Sequence, residues 1–203
     1  MTNSLENKYN DAIWVAGTLF NKGLVTGSTG NISFLHDDKI YITKSGSCFG
    51  RLDKDSFAIL DLDSNLLDGK PSKEYPLHLA LYNANKNNLA VIHTHSLYST
   101  IFSCMKDLNR RLDDLFAYTP YLKMLTKGKI SCVDYAKPGS QELFEKFLNE
   151  VNENTNVYIL KNHGIVVSAN DLNSAFNIVE EFEVSAKIQN ILKSYDKTEI
   201  NCI

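Results

Sequence analysis

Apolar residues recur at helical spacing at Ala12, Val15, Ala16, Leu19 and Phe20, the signature of an amphipathic helix. Gly23 follows, where a helix commonly closes on a left-handed glycine. Gly27-Ser28-Thr29-Gly30-Asn31 then interrupts the periodicity. Ile32 to Leu35 and Ile40 to Thr43 predict two strands joined at His36-Asp37-Asp38, a hairpin pattern. Phe57 to Asp61 predicts a third strand, closed by the turn residues Asp63-Ser64-Asn65. Pro76 opens a second helix, where its missing N–H costs little, with Leu77, Ala80, Leu81 and Ala84 as the apolar face. Leu89 to Ile92 is a short apolar run expected as a buried strand that delivers His93 and His95 at its end. Phe116 to Leu125 fits neither period. Glu142 to Val151 predicts a helix, and Val157 to Leu160 a buried strand that ends just before Asn162-His163-Gly164. Asp171 caps a long last helix with Leu172, Ala175, Phe176, Val179, Phe182 and Ala186 on its buried face. Helices and strands alternate irregularly, which predicts a mixed sheet with helices on its faces.

At 203 residues the chain suits one domain, 1–203, with one sizeable core. A net charge of −3 gives no electrostatic footprint for nucleic acid or an anionic membrane, though it leaves room for a local basic pocket. Residues 1–10 are polar, and no stretch approaches the roughly 20 apolar residues of a membrane helix. The four cysteines, Cys48, Cys104, Cys132 and Cys202, form no CxxC pair and no disulfide framework. Reduced thiols and a cytoplasmic location are therefore expected.

His93-Thr94-His95 carries candidate chemistry. In an extended segment residues i and i+2 point the same way, so both imidazoles can reach one ion. His163 is the best candidate for a third donor, because it too follows a buried strand and precedes a glycine. Zinc suits neutral imidazole, and a catalytic zinc takes three protein donors and keeps one position open. The spacing does not distinguish zinc from Mn²⁺ or Co²⁺. His36 and His78 have no partners at such spacing and are read as a hairpin-surface residue and a structural helix residue.

Three donor-rich segments are candidates to bind an anion. Pro71 to Pro76 precedes the second helix, whose N-terminal N–H groups attract negative charge, and Ser72 adds a hydroxyl there. Gly27 to Asn31 and Lys44-Ser45-Gly46 are the other two. Each alone is an ordinary turn. Glu74 alone is a helix-start carboxylate favoured by the macrodipole.

Together these pieces resemble the class II aldolase/adducin family. The matching residues are Gly27-Ser28-Thr29-Gly30-Asn31, Thr43-Lys44-Ser45-Gly46, Pro71-Ser72-Lys73-Glu74, His93-Thr94-His95 and Asn162-His163-Gly164, in the family's order. The resemblance implies a three-layer α/β/α sandwich with a mixed, largely antiparallel central sheet. It implies one zinc ion per subunit on His93, His95 and His163, with Glu74 as the acid–base carboxylate. Ser28, Gly30, Asn31, Ser45, Gly46 and Ser72 fall on its phosphate-binding positions. It also implies a homotetramer with sites between neighbours, and Tyr121 as a proton donor that reaches the neighbouring subunit's site.

Within the family, fuculose-phosphate aldolases usually read Ser-Ser-Glu where this chain has Ser72-Lys73-Glu74, and ribulose-phosphate 4-epimerases usually carry aspartate for the glutamate. Ser-Lys-Glu resembles the 3-oxo-tetronate 4-phosphate decarboxylases. So do Ser47 to Leu52, Phe116 to Tyr121 and Tyr135 to Gly139. The expected substrate is a phosphorylated sugar acid, with Lys73 a candidate for its carboxylate. Aldolase and epimerase chemistry are the alternatives, and a non-catalytic, adducin-like interaction module is the third reading. Retention of all three histidines and Glu74 counts against that module.

Overall fold

The computed structural model describes residues 4–195 and 201–202. Ser4 starts the first helix, its hydroxyl accepting the Asn7 N–H at 3.3 Å. Helix α1 (Leu5–Asn21) ends where Gly23, at φ +70°, lets the Leu24 N–H reach back to the Leu19 carbonyl. Strands β1 (Asn31–His36) and β2 (Lys39–Thr43) form the expected hairpin, turned by Asp37 and Asp38 in left-handed conformations. Strand β3 (Phe57–Asp61) follows, then β4 (Leu66–Asp68). Helix α2 (Tyr75–Ala84) has Pro76 in its first turn. Strand β5 (Ala90–Thr94) contains His93 within its ladder and places His95 just beyond it.

The second half adds α3 (Leu97–Ser103), α4 (Leu108–Arg111), α5 (Tyr121–Thr126), β6 (Ser131–Val133) and α6 (Gln141–Glu150). Strands β7 (Val157–Leu160) and β8 (Gly164–Ala169) are joined by a three-residue turn whose central Asn162 sits at φ +55°, a conformation asparagine tolerates well. Asp171 caps α7 (Leu172–Leu192) by accepting the Ser174 N–H, and all six residues expected on its buried face are buried. The ambiguous segment Phe116 to Leu125 becomes a run of turns that leads into α5, and a short 3-10 helix at Leu112–Leu115 precedes it.

All eight strands make one sheet in the order β4-β3-β2-β1-β5-β8-β7-β6, antiparallel except for β6 beside β7. One face carries α1, α3 and α7 over Ile32, Phe34 and Ile92, and the other carries α2 and α6 over Val91, Tyr158 and Val166. The result is a three-layer α/β/α sandwich with a mixed, largely antiparallel sheet. Among the described residues no helix is long and apolar enough to cross a membrane.

One sequence expectation needs correction. The buried face of α2 is Leu77, His78, Leu81 and Tyr82, whereas Ala80 and Ala84 are only half-buried. The helix turns two polar residues inward because strand β1 presents polar partners, Asn31 and Ser33, on the face it covers.

Candidate metal and anion site

The histidine cluster is built by the sheet. Asn31 and His93 are register partners across β1 and β5, and the β7–β8 turn lies beside the end of β5, where Thr94 pairs with Ile165. Gly164 permits that approach: a Cβ there would meet the Thr94 carbonyl oxygen at 2.2 Å and His95 Cδ2 at 3.0 Å. The three imidazoles converge through their Nε2 atoms. His95 Nε2 is 2.8 Å from His93 Nε2, which is 3.3 Å from His163 Nε2. Glu74 closes the group from the start of α2, with Oε2 3.2 Å from His93 Nε2 and Oε1 3.5 Å from His163 Nε2. One donor atom from each of these four residues lies within 4.8 Å of the others.

The protonation pattern suits a cation. His93 donates Nδ1–H to the Ile165 carbonyl oxygen at 2.8 Å, so Nε2 is the nitrogen whose lone pair the ring offers the cluster when it is neutral. His95 is pushed down to about 3 and His163 to about 4, by burial first and then by the neighbouring imidazoles. Burial also opposes charge on His93 and Glu74, but each is outweighed by the other. The carboxylate raises the His93 imidazole, while His93, His163 and Asn31 hold the Glu74 carboxyl well below the usual range. Glu74 Oε1 and His163 Nδ1 are buried without a hydrogen-bond partner. Three imidazole Nε2 atoms and a carboxylate crowd together here, an arrangement that a positive centre between them satisfies. The donor set fits a divalent metal.

A cavity of about 610 Å³ opens in front of the cluster. Ser28, Gly30, Asn31, Ser45, Gly46, Ser72, Lys73, Glu74, His95 and His163 all line it, so the three donor-rich segments do converge. Gly30 is at φ +77°, and a Cβ there would lie 2.7 Å from the His93 carbonyl oxygen. Only glycine brings this turn against the β5 end. Among the described residues the hydroxyls of Ser28 and Ser45 form no hydrogen bond with the chain, and that of Ser72 only accepts, from the Glu74 N–H at 3.3 Å. Of the two lysines in the lining, Lys44 donates to the Asp55 carbonyl oxygen at 2.6 Å. Lys73 is exposed, packs across Gly139 and has no partner among the described residues.

Asn31 is more committed than a surface phosphate donor. It is 3 % exposed. Its carboxamide accepts from His78 Nε2 and donates to Glu74 Oε2 at 3.3 Å. Tyr121 is outside its own chain's cavity, 58 % exposed beside Met124 and Leu125. Sequence reasoning missed Ser33 and Tyr82, which continue the hydrogen bonds behind Asn31. A signal was present: polar residues at i and i+2 in an apolar strand, and His and Tyr at i and i+4 on one helix.

A family model settles the relationship: "Class II Aldolase and Adducin N-terminal domain" matches residues 10–190. The chain belongs to that family. It is 37 % identical over 173 residues to a 3-oxo-tetronate 4-phosphate decarboxylase of Haemophilus influenzae, covering 84 % of this chain and 81 % of that protein. It is 41 % identical over 176 residues to an L-fuculose phosphate aldolase of Methanocaldococcus jannaschii, covering 87 % of this chain and 92 % of that one. The crystal structure of YgbL from Escherichia coli, described as a candidate aldolase/epimerase/decarboxylase, superposes with TM-score 0.87 at 32 % identity, covering 98 % of this chain and 94 % of that one. The relatives are lyases by name, and this class II aldolase family member is an enzyme of the lyase class.

Proposed function

We propose that this chain decarboxylates a 3-oxo-tetronate 4-phosphate to dihydroxyacetone phosphate and carbon dioxide. The observation that carries the choice is Lys73, an unpaired ammonium on the cavity wall next to Glu74. Such a substrate has two anionic ends. The serine hydroxyls and the Gly46 turn suit the phosphate, and Lys73 suits the carboxylate. An aldolase substrate has no carboxylate and leaves Lys73 without a partner.

His93, His95 and His163 are the proposed zinc donors, with Mn²⁺ or Co²⁺ as substitutes that the same atoms can hold. Zinc, when bound, supplies Lewis acidity toward a ketone and its neighbouring hydroxyl. The residues of the chain do the rest. Lys73 and the hydroxyls of Ser28, Ser45 and Ser72 orient the substrate by its two ends. The C1–C2 bond breaks, C1 leaves as carbon dioxide, and the electron pair stays on C2 in conjugation with the C3 carbonyl. Glu74 takes up a proton from solvent as substrate binds and delivers it to C2. Substrate excludes water from this buried carboxyl and brings negative groups beside it; both raise its proton affinity.

Aldol cleavage of a sugar phosphate is the second reading, favoured by the 41 % identity to the archaeal aldolase. Both reactions leave an electron pair next to a ketone. The deciding experiment supplies both 3-oxo-tetronate 4-phosphates and follows carbon dioxide and dihydroxyacetone phosphate, with fuculose 1-phosphate and ribulose 5-phosphate as controls. Carbon dioxide release from one sugar acid, with slow turnover of the controls, is the expected result. Preferred cleavage of fuculose 1-phosphate would replace the decarboxylase with an aldolase.

A further inference from the structure

Behind Glu74 runs a buried chain of hydrogen bonds in which every proton is assigned by elimination. His78 is fully buried on α2, with Nε2 on the Asn31 Oδ1 atom and Nδ1 2.7 Å from Ser33 Oγ. Ser33 Oγ is also 2.6 Å from the Tyr82 hydroxyl. The far end of the chain is the Asn31 N–H donated to Glu74 Oε2.

We propose that His78 is a positioning residue for the acid–base carboxylate: its Nε2–H locks the Asn31 carboxamide with the N–H toward Glu74. The inference rests on the reading of Glu74 as the proton-transferring group. A carboxamide can turn over and exchange its oxygen and nitrogen. Turned over, Asn31 would set its oxygen against the Glu74 carboxylate, and His78 would have to accept at Nε2. The His78 proton would then sit on Nδ1 and donate to Ser33, and Ser33 would donate to Tyr82. That arrangement leaves the buried Tyr82 hydroxyl hydrogen without an acceptor in this chain of bonds and places two oxygens against each other. In the other direction Tyr82 donates to Ser33, Ser33 to His78, His78 to Asn31 and Asn31 to Glu74, and nothing is stranded. Burial pushes the His78 imidazole down to about 3, so the ring is neutral and holds a single tautomer. The ring lies in the packed layer between α2 and the sheet, where Leu77 and Leu81 flank it on the helix. Glu74 is 8 % exposed and has few other tethers, so the Asn31 bond helps decide where its carboxyl points.

The test is a set of variants of the metal-loaded enzyme, assayed on whichever substrate it turns over: His78→Leu, His78→Gln, Ser33→Ala, Glu74→Gln and the His78→Leu/Glu74→Gln double variant. His78→Leu should lower kcat about 10–100-fold with metal content and KM little changed. His78→Gln, whose amide can both donate to Asn31 and accept from Ser33, should recover part of that loss. Ser33→Ala frees the His78 tautomer and should give an intermediate loss; it serves also if His78→Leu does not fold. In the Glu74→Gln background the His78→Leu change should cost nothing further, since the group it positions is gone. Imidazole ¹⁵N NMR of the unmodified protein should find His78 as the neutral Nε2–H tautomer. The proposal is overturned if His78 proves to be protonated on Nδ1, if kcat is unchanged in His78→Leu, or if the two losses simply multiply. A Glu74→Gln enzyme with normal kcat would instead sink the reading of Glu74, and this inference with it.

Discussion

Asn31 and His93 face each other across the β1–β5 ladder, and both reach Glu74 Oε2, the carboxamide at 3.3 Å and the imidazole at 3.2 Å. A carboxylate donated by α2 is thus gripped by two neighbouring positions of one sheet face. Side chains alternate between faces along a strand, so slipping one of the two strands by one residue would send its member of the pair to the opposite layer. The site's precision comes from strand register more than from loops.

The first prediction concerns the metal donors. His163 stands on the β7–β8 turn with Nε2 3.3 Å from His93 Nε2. His163→Ala removes one of three converging imidazoles and should strip most of the bound metal from purified protein. Elemental analysis per subunit checks this. Full zinc occupancy in the alanine variant would show that His163 is not a donor.

Glu74→Gln keeps the shape of the side chain and removes its proton chemistry. The glutamine can still accept from Asn31, so packing and metal content should hold. Turnover is expected to fall about 10²–10⁴-fold, in kcat with little change in KM. Loss of metal from this variant would make Glu74 chiefly a metal donor.

Tyr121 lies outside the cavity of its own chain and is exposed beside Met124 and Leu125. If it serves a neighbouring subunit, Tyr121→Phe and Glu74→Gln subunits should complement each other. Mixed oligomers would regain activity that neither variant shows alone, because some sites combine an intact Glu74 with an intact Tyr121. Mixtures no more active than the average of the two variants would place Tyr121 outside the neighbouring subunit's site, as would a fully active monomer in sedimentation.

The site was legible in the sequence where its residues share a local pattern. His93 and His95 lie at i and i+2 on a strand end, and the three donor-rich turns each contain glycine or serine. Strands β1 to β3 and the helices α1, α2, α6 and α7 also carry a readable pattern, and β5 and β7 show as short apolar runs. Strand β8 did not show itself, because Ile165-Val166-Val167 follows so closely on Val157 to Leu160 that the two runs are separated only by a tight turn at Asn162. Strands β4 and β6 have three residues each, too few for a period. The path from Tyr82 to Glu74 depends on how α2 is rotated over β1. Leu77 and Leu81 are compatible with Ala80 and Ala84 as neighbours on the buried face, and with His78 and Tyr82. Tertiary partners on β1 decide between them.

Gly164→Ala tests the close approach of the β7–β8 turn to β5. The added Cβ would stand 2.2 Å from a backbone oxygen, which cannot rotate away as a side chain can. Overpacking of this kind costs about 1–3 kcal/mol, and each kcal/mol lowers Tm by about 2–4 °C at this chain length. The same shift pushes on His95, so metal affinity should fall together with Tm. A variant that loses neither would show that the turn has room to relax.

The last prediction links His78 to stability at low pH. Burial holds its pKa at about 3 in the fold, against 6.5 for an ordinary imidazole. Between those values the unfolded chain carries a proton on His78 that the folded chain does not. Stability rises with pH wherever the unfolded state binds more protons. The contribution is therefore complete above the unfolded value, and it is lost as pH falls from 6.5 toward 3. At its steepest one proton changes stability by about 1.4 kcal/mol per pH unit. His95 and His163 are also held low and act in the same direction, so the wild-type slope alone does not isolate His78. Subtraction does. Urea unfolding of wild type and His78→Gln, both kept metal-free with a chelator so that metal release does not enter, should be compared at several pH values from 7 down to 4. The glutamine cannot take up the proton, so its stability should fall less steeply. The gap between the two curves should change in favour of the variant by up to one proton's worth per pH unit. Parallel curves would mean that His78 titrates alike in the folded and unfolded chains, so that burial does not hold the ring neutral as pH falls.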